Sequence, residues 1–426
     1  MKYLRLISRV LIGLVFIFSG YVKAIDLIGS QLIFTEYFKA FYMGFLIPAG
    51  PTIVGVLASA AELVLGLCLV LGLRMKLTAW ATTLFMGFFT VLTLILALFN
   101  PVTDCGCFGE AIKLTNWETF FKNVIIDIFV VIIFLQRDKY KPLSTCLNEF
   151  ITVGVFTAFA LSLSVYCYRH LPLIDFLPYK VGVNISQAME IPEGAPVNEY
   201  ETLLIYEKAG EGRKTFTLKD YPQNDTTWKF IESVSVLKKK GYEPPIVDFT
   251  INDSYRGYIT DSILDLKGYL FLLTMPHVED ASLKNIGKIN AIADYALTQE
   301  NINFVALAGS DDDKIAEFAA ATGGMYSIYF TDEKPLKSMV RSNPGLLLLY
   351  DGTIVAKWSH FDIPGVEKLQ KKYLSENPDI LIARHNTCEL LTSELLIVVL
   401  FVVMIMLSYC FRKYGKKDAN SPELSA

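Results

Sequence analysis

Apolar positions along this chain follow two regimes. In the first 170 residues, and again near the C-terminus, they run on almost uninterrupted for about 20 residues at a time, the length an α-helix needs to cross a bilayer. Six such runs are legible: Leu6 to Ala24, Thr52 to Leu73, Leu77 to Phe99, Trp117 to Leu135, Phe150 to Tyr168 and Leu391 to Phe411. Lys2, Arg5 and Arg9 precede the first run as they would in a signal peptide. Ser19-Gly20-Tyr21-Val22-Lys23 offers no small-x-small cleavage site, however, so this run is expected to remain a span.

Between the fifth and sixth runs the pattern changes to mixed strand and helix. Residues 171–243 hold short β-like stretches, Glu201 to Tyr206 and Lys214 to Leu218, separated by turn clusters such as Ala209-Gly210-Glu211-Gly212, and read as a small β-rich insert. Asp248 to Ile251 and Tyr258 to Thr260 then read as a hairpin. They are followed by a strand from Tyr269 to Thr274, a helix from Leu283 to Leu297, the strand Asn303 to Ala308 and a helix opened by Asp311 to Asp313. The strands Leu346 to Tyr350 and Thr353 to Trp358, joined by Asp351-Gly352, close the series. This βαβα then ββ order indicates an α/β or α+β domain over residues 244–375.

Composition agrees with a membrane protein: 53% of the residues are hydrophobic, too many for an ordinary soluble chain. Basic residues accumulate before the first run, between the second and third (Arg74, Lys76), between the fourth and fifth (Arg137, Lys139, Lys141) and in the tail (Arg412, Lys413, Lys416, Lys417). With six spans all four segments fall on one side, expected to be the cytoplasmic one. Residues 100–116 and the long stretch from 169 to 388 then lie on the opposite face, the periplasm of a bacterium, with the protein in the inner membrane. That stretch is acidic on balance, which argues against nucleic acid as a partner.

Of seven cysteines only Cys105 and Cys107 stand close together, in Asn100-Pro101-Val102-Thr103-Asp104-Cys105-Gly106-Cys107-Phe108-Gly109-Glu110. Two cysteines one residue apart can close a small strained ring, with Gly106 supplying backbone freedom. Such a bond exchanges readily, which suits a redox dithiol better than a staple. A structural or vestigial pair and a metal clip are the alternatives; a zinc clip would need ligands the loop lacks. Asp104 is expected to raise the neighbouring thiol. Cys167 and Cys388 fall at the same membrane boundary as the pair and are secondary thiol candidates, read more simply as unrelated apolar cysteines. Cys68 lies inside the second run, and Cys146 and Cys410 are expected on the reducing side. Glu62 and Asp127 are acids within spans, and intramembrane acids are functional candidates by default. Small neighbours of Glu62 (Gly55, Ala58, Ser59, Ala61, Gly66) also allow a satisfied interhelical hydrogen bond.

Two resemblances extend this reading. Phe18-Ser19-Gly20 with Lys23 and Asp26, Ala61-Glu62 with Gly66, Gly72 with Arg74, and the loop from Asn100 to Gly109 resemble the DoxX superfamily, most closely its MauE branch associated with methylamine utilisation. The resemblance covers about residues 5–135, within an expected four-helix membrane domain, residues 1–136. It implies a redox-associated role in disulfide formation or maturation of exported proteins, and relatives in the wider superfamily make a quinone a candidate cofactor. The "DFT" strand, "DLKG" and "NPGLLLLYDGT" resemble thioredoxin-like domains of the TlpA and peroxiredoxin type, with Pro344 in the place of the family's cis-proline. His277 and Asp280 stand at the positions of its Cys-x-x-Cys, and no cysteine occurs from 168 to 387, so this domain does no dithiol chemistry itself. His277, Glu279 and Asp280 are read as a loop and helix start in preference to an acid–base or metal site.

The expected organisation is therefore a membrane domain (1–136), a cytoplasmic loop with the fifth span (137–170), the β-rich insert (171–243), a degenerate thioredoxin-like domain (244–375) and a sixth span with a basic tail (376–426). The expected function is thiol/disulfide or quinone-linked electron handling through Cys105 and Cys107, with lipid and a periplasmic thiol protein or membrane partner around it. The competing expectation is a non-catalytic anchor or scaffold that binds a partner through the cysteine-free domain.

Overall fold

The computed structural model describes residues 2–418 except 103–104, 198, 209, 224, 240 and 248. Asp104 and its expected effect on Cys105, Asp248, and the side chains of Cys410 and the basic tail lie outside the described part.

The uninterrupted apolar runs become long helices because a backbone in lipid must satisfy its own hydrogen bonds. They are α1 (Lys2–Ile25), α3 (Gly50–Leu71), α4 (Met75–Phe99), α5 (Asn116–Leu135), α6 (Cys146–Arg169) and α13 (Pro378–Asp418). Five are long and apolar enough to cross a membrane. The sixth, α5, has 20 residues but carries Glu118, Lys122 and Asp127; it packs along α1 and α4 within the same bundle. The chain is thus a multi-pass membrane protein, with apolar side chains such as Leu84 and Phe88 exposed for lipid contact.

A helix missed by the sequence reading, α2 (Leu27–Ala40), follows α1 and packs on α3. Its apolar residues are interrupted by Gln31, Thr35 and Glu36 and are too few to span, so it carried no membrane signal. Asp26 caps it, accepting a hydrogen bond from the Gly29 N–H at 2.8 Å.

α1 and α3 approach closely, because a Cβ at Gly20 would come within 2.4 Å of the Leu63 backbone nitrogen. At one end of the bundle the basic connections meet: Arg5 donates to the Lys139 carbonyl, Lys76 pairs with Asp138, and the Arg74 N–H donates to Glu149. At the other end α5 starts in a capping box between Thr115 and Glu118. Thr115→Ala removes the side chain that accepts the Glu118 N–H and is expected to cost about 1 kcal/mol. Comparing unfolding of the variant and the parent protein in detergent checks this.

Outside the bundle, β1 (Glu199–Lys208), β2 (Gly212–Thr217) and β3 (Lys229–Lys239) form an antiparallel sheet in the order β2-β1-β3. β3 was not anticipated. Its run Phe230-Ile231-Glu232-Ser233-Val234-Ser235-Val236 breaks strict alternation at Phe230-Ile231 and Glu232-Ser233, although the cluster Pro222-Gln223-Asn224-Asp225 before it is a turn signal.

The remaining strands are β4 (Asn252–Asp253), β5 (Gly257–Tyr258), β6 (Tyr269–Met275), β7 (Ile302–Ala308), β8 (Ile328–Phe330), β9 (Gly345–Tyr350) and β10 (Thr353–Ser359). They build one sheet in the order β10-β9-β6-β7-β8-β4-β5. β6, β7 and β8 are parallel neighbours, whereas β9 runs antiparallel to β6 and to β10. The expected hairpin exists only as the two-residue ladder of β4 and β5. Short helices are α7 (Ile185–Met189), α8 (Thr260–Leu264), α11 (Glu333–Met339) and α12 (Val366–Leu369); the longer ones are α9 (Ile286–Leu297) and α10 (Asp312–Thr322).

Both faces of this sheet are covered, which is why β6 and β9 read as continuous apolar runs. Leu270, Leu272, Leu347 and Leu349 pack on one face with Leu336 and Met339 of α11; Phe271, Leu273, Leu346 and Leu348 pack on the other with Ile289 and Ile292 of α9. One boundary expectation changes here. Tyr179, Val181 and Ile185 belong to the first of these cores, and the Gly182 N–H donates to the Ile354 carbonyl, so residues 179–185 are part of the α/β domain and not of the β-rich insert. The Asn343–Pro344 peptide is cis.

Candidate functional site: a dithiol beside a buried ion pair

The connection from α4 to α5 is pinned from three sides. Asn116, in the first turn of α5, donates through Nδ2 to Asn100 Oδ1 and the Val102 carbonyl, both at 2.8 Å. The Tyr37 hydroxyl of α2 donates to the Cys105 carbonyl at 2.7 Å. Ser19 Oγ of α1 lies 2.7 Å from the Cys107 carbonyl oxygen. Gly106 takes φ +62°, and a Cβ there would come within 2.3 Å of Ile33, so glycine is needed both for the turn and for the contact with α2.

Held this way, the Cys105 and Cys107 sulfurs are 2.8 Å apart as free thiols. Cys105 is 8% exposed and Cys107 half-buried. When Cys105 ionises, its thiolate can accept from the Cys107 thiol, the Thr119 hydroxyl 3.3 Å away and the Cys107 backbone N–H at 3.4 Å, with the charge of Lys122 nearby. The Cys107 interaction is the largest of these. Together they outweigh burial and draw the Cys105 thiol down to about 6. The same interaction and burial push the Cys107 thiol well above its ordinary value.

Glu62 sits directly behind the pair. Lys23 Nζ lies 2.5 Å from Glu62 Oε1, and Ser19 Oγ lies 2.6 Å from Glu62 Oε2; Lys23 and Glu62 are 7% and 5% exposed. Ser19 therefore stands between the Glu62 carboxylate and the Cys107 carbonyl with one hydroxyl proton to offer to the two acceptors. For Glu62 the structure adds a buried cation, Lys23, four residues and just over one turn beyond Ser19 on α1. A lysine near the end of an apolar run was the available signal.

The other candidates lie elsewhere. Asp127 accepts from the Thr90 hydroxyl at 2.7 Å, an α4–α5 link outside the dithiol cluster. Cys167 is buried against Ala24, Ile25 and Leu163, Cys388 is exposed on α13, and both are free thiols. His277, Asp280 and the residues before Pro344 surround a separate cleft of about 390 Å³ between the α/β domain and α2. There His277 lies 3.1 Å from Glu333, and burial together with Lys337 holds it below the ordinary histidine range. Glu279 pairs with Lys314, which with its own backbone N–H and the Ser310 hydroxyl holds the carboxyl down to about 2. These contacts fit a loop and helix start more closely than an acid–base site. Among the described residues no group of three or more His, Cys, Asp and Glu side chains is placed to hold a metal ion.

The cavity between Phe16, Phe89, Glu62 and Cys107 measures about 40 Å³, room for about one water molecule.

Residues 1–135 match the family model described as Methylamine utilisation protein MauE, and residues 200–240 match one described as Domain of unknown function (DUF8463). No curated protein and no solved structure matches the chain. The first match contains the dithiol, Lys23 and Glu62. It supports a MauE-like membrane protein with a redox-associated or accessory role.

Proposed function

We propose that this chain is a membrane-bound disulfide donor to exported thiol proteins, with Cys107 the sulfur that is attacked and Cys105 the leaving group. The observation that carries the reading is the pairing of two thiols 2.8 Å apart of opposite character: Cys105 buried and acidified, Cys107 half-buried and held above its ordinary value. A thiolate of the partner attacks Cys107 Sγ of the oxidised pair. The Cys105–Cys107 bond breaks, and its electron pair departs on Cys105, whose low pKa makes it the better leaving group. The partner's second thiol then attacks the partner sulfur of the mixed disulfide, releasing Cys107, which takes up a proton. The partner dithiol loses two electrons and two protons; the pair gains the two electrons and one proton, on Cys107, and the second proton goes to solvent while Cys105 remains a thiolate. Stabilising the Cys105 thiolate stabilises the reduced pair, which makes the disulfide oxidising.

The α/β domain supports this reading as a platform. Parallel β6, β7 and β8 beside the antiparallel β9–β10 hairpin resemble a thioredoxin-like sheet, and the domain holds no thiol of its own. The basic connections gather at the bundle end opposite the dithiol, which by the positive-inside rule supports a periplasmic site for the dithiol and the α/β domain.

The test is alkylation mass-trapping of Cys105 and Cys107 in intact membranes, before and after mild reductant. A pair that is oxidised, reducible and reoxidised on removing the reductant supports the donor. Thiols that stay free throughout, or a bond that resists reduction, defeat it and leave the anchor reading.

A further inference from the structure

We propose that Arg341 positions the dithiol: the α/β domain clamps the loop bearing Cys105 and Cys107 through this one guanidinium. The proposal rests on the disulfide-donor reading in taking that pair as the working site.

Arg341 follows α11 and is 4% exposed, at the junction with the membrane domain. Its Nε lies 3.1 and 3.3 Å from the two oxygens of Asp26, and its Nη2 lies 3.1 Å from Asp26 Oδ2 and 3.3 Å from Glu110 Oε1. Nη1 donates to the Lys337 carbonyl at 3.0 Å, which ties the guanidinium back to its own domain. A planar fork on a carboxylate is a geometry that lysine does not reproduce.

Both carboxylates lead to the dithiol. Glu110 stands three residues beyond Cys107 in the same loop. Asp26 caps α2, and α2 carries Tyr37, which donates to the Cys105 carbonyl, and Ile33, which packs on Gly106. Without Arg341 the buried Asp26 would lose the cation paired with it, and Glu110, which keeps Lys113 at 3.2 Å, would lose its tie to the α/β domain; the two carboxylates would then be free to separate. Moving either one moves the frame of the loop.

The groups that face the thiols are Thr119 and Lys122 of α5, Ser19 and Lys23 of α1, Tyr37 of α2 and Glu62 of α3, with Glu110 further along the loop. All belong to the membrane domain. An effect of Arg341 on the thiols must therefore act through the position of the loop and α2, or through its bare charge, and a lysine separates the two.

The experiment follows maleimide labelling of Cys105 by mass across pH, using the full-length reduced protein in membranes. Arg341→Met is expected to raise the labelling midpoint by about one pH unit or more as Cys105 loses its donors. Asp26→Asn, which keeps a capping side chain, is expected to raise it as well, and Arg341→Lys to recover less than half of the Arg341→Met shift. The proposal is overturned if folded Arg341→Met and Asp26→Asn keep the parent midpoint, or if Arg341→Lys restores it in full. Should Arg341→Met fail to accumulate, the proposal stands on Asp26→Asn and Arg341→Lys both raising the midpoint and falls if either keeps the parent value. Because labelling reads thiol ionisation whether or not the pair turns over, failure of the disulfide-donor reading appears separately, as a parent protein that does not oxidise a reduced dithiol peptide.

Discussion

Cys107→Ala is expected to abolish oxidation of a reduced dithiol peptide and to return the Cys105 thiol from about 6 toward the ordinary range near about 8.5. Exchange is lost because no Cys105–Cys107 disulfide can form; the thiol shift has a separate cause. The Cys107 thiol is the largest stabiliser of the Cys105 thiolate, and burial, which opposes ionisation, is left in place when that donor goes. At pH 7 the thiolate fraction would fall about thirtyfold. The labelling rate falls less, because a more basic thiolate is also more nucleophilic. The midpoint of the pH profile is therefore the measurement. Cys107→Ser, which keeps a hydroxyl donor, is expected to lie between the parent and the alanine variant in midpoint while being equally dead in exchange. A midpoint that stays near its parent value in Cys107→Ala would remove the acid–leaving-group argument on which the direction of transfer rests.

Lys23→Met is expected to be the most destabilising single change at the site, by about 3–5 kcal/mol, because it leaves the Glu62 carboxylate buried without its cation. The cost has two parts. Glu62 keeps only the Ser19 hydroxyl, and that hydroxyl is then drawn from the Cys107 carbonyl toward the carboxylate. Replacing both partners, Lys23→Met with Glu62→Leu, is expected to recover most of the loss, since two charges withdrawn from water contribute little net stability when paired. Unfolding by SDS titration in mixed micelles measures the single and double variants. Equal destabilisation in both would show that the ion pair is not the source. Exchange activity in the double variant then reports whether the pair serves the dithiol or only the bundle.

The membrane runs were legible because burial in lipid imposes one requirement, an apolar stretch of helical length, that depends on composition alone. The same holds for the continuous burial of β6 and β9, whose runs Tyr269 to Met275 and Gly345 to Tyr350 are covered on both faces. α2 was not legible, since a mixed helix lying on a bundle has neither the length of a span nor a clean period. β3 was missed because its pairing with β1 is decided by a partner and not by its own residues.

At the site, the sequence by itself determined that two cysteines share one turn, that Gly106 lies between them, that Glu62 is an acid within a span, and that the α/β domain has no thiol. These facts are local: each is a residue type at a position or a spacing of one. Only the tertiary structure decided which thiol is acidic, because that depends on Thr119 and Lys122 of α5 and on the Cys107 thiol 2.8 Å away. It also decided that Lys23 meets Glu62 across 39 positions and that Arg341 meets Asp26 across 315. A charge in sequence is an unpaired quantity, and its partner is selected by packing, here by the close approach of α1 to α3 at Gly20 and by the seating of the α/β domain on α2.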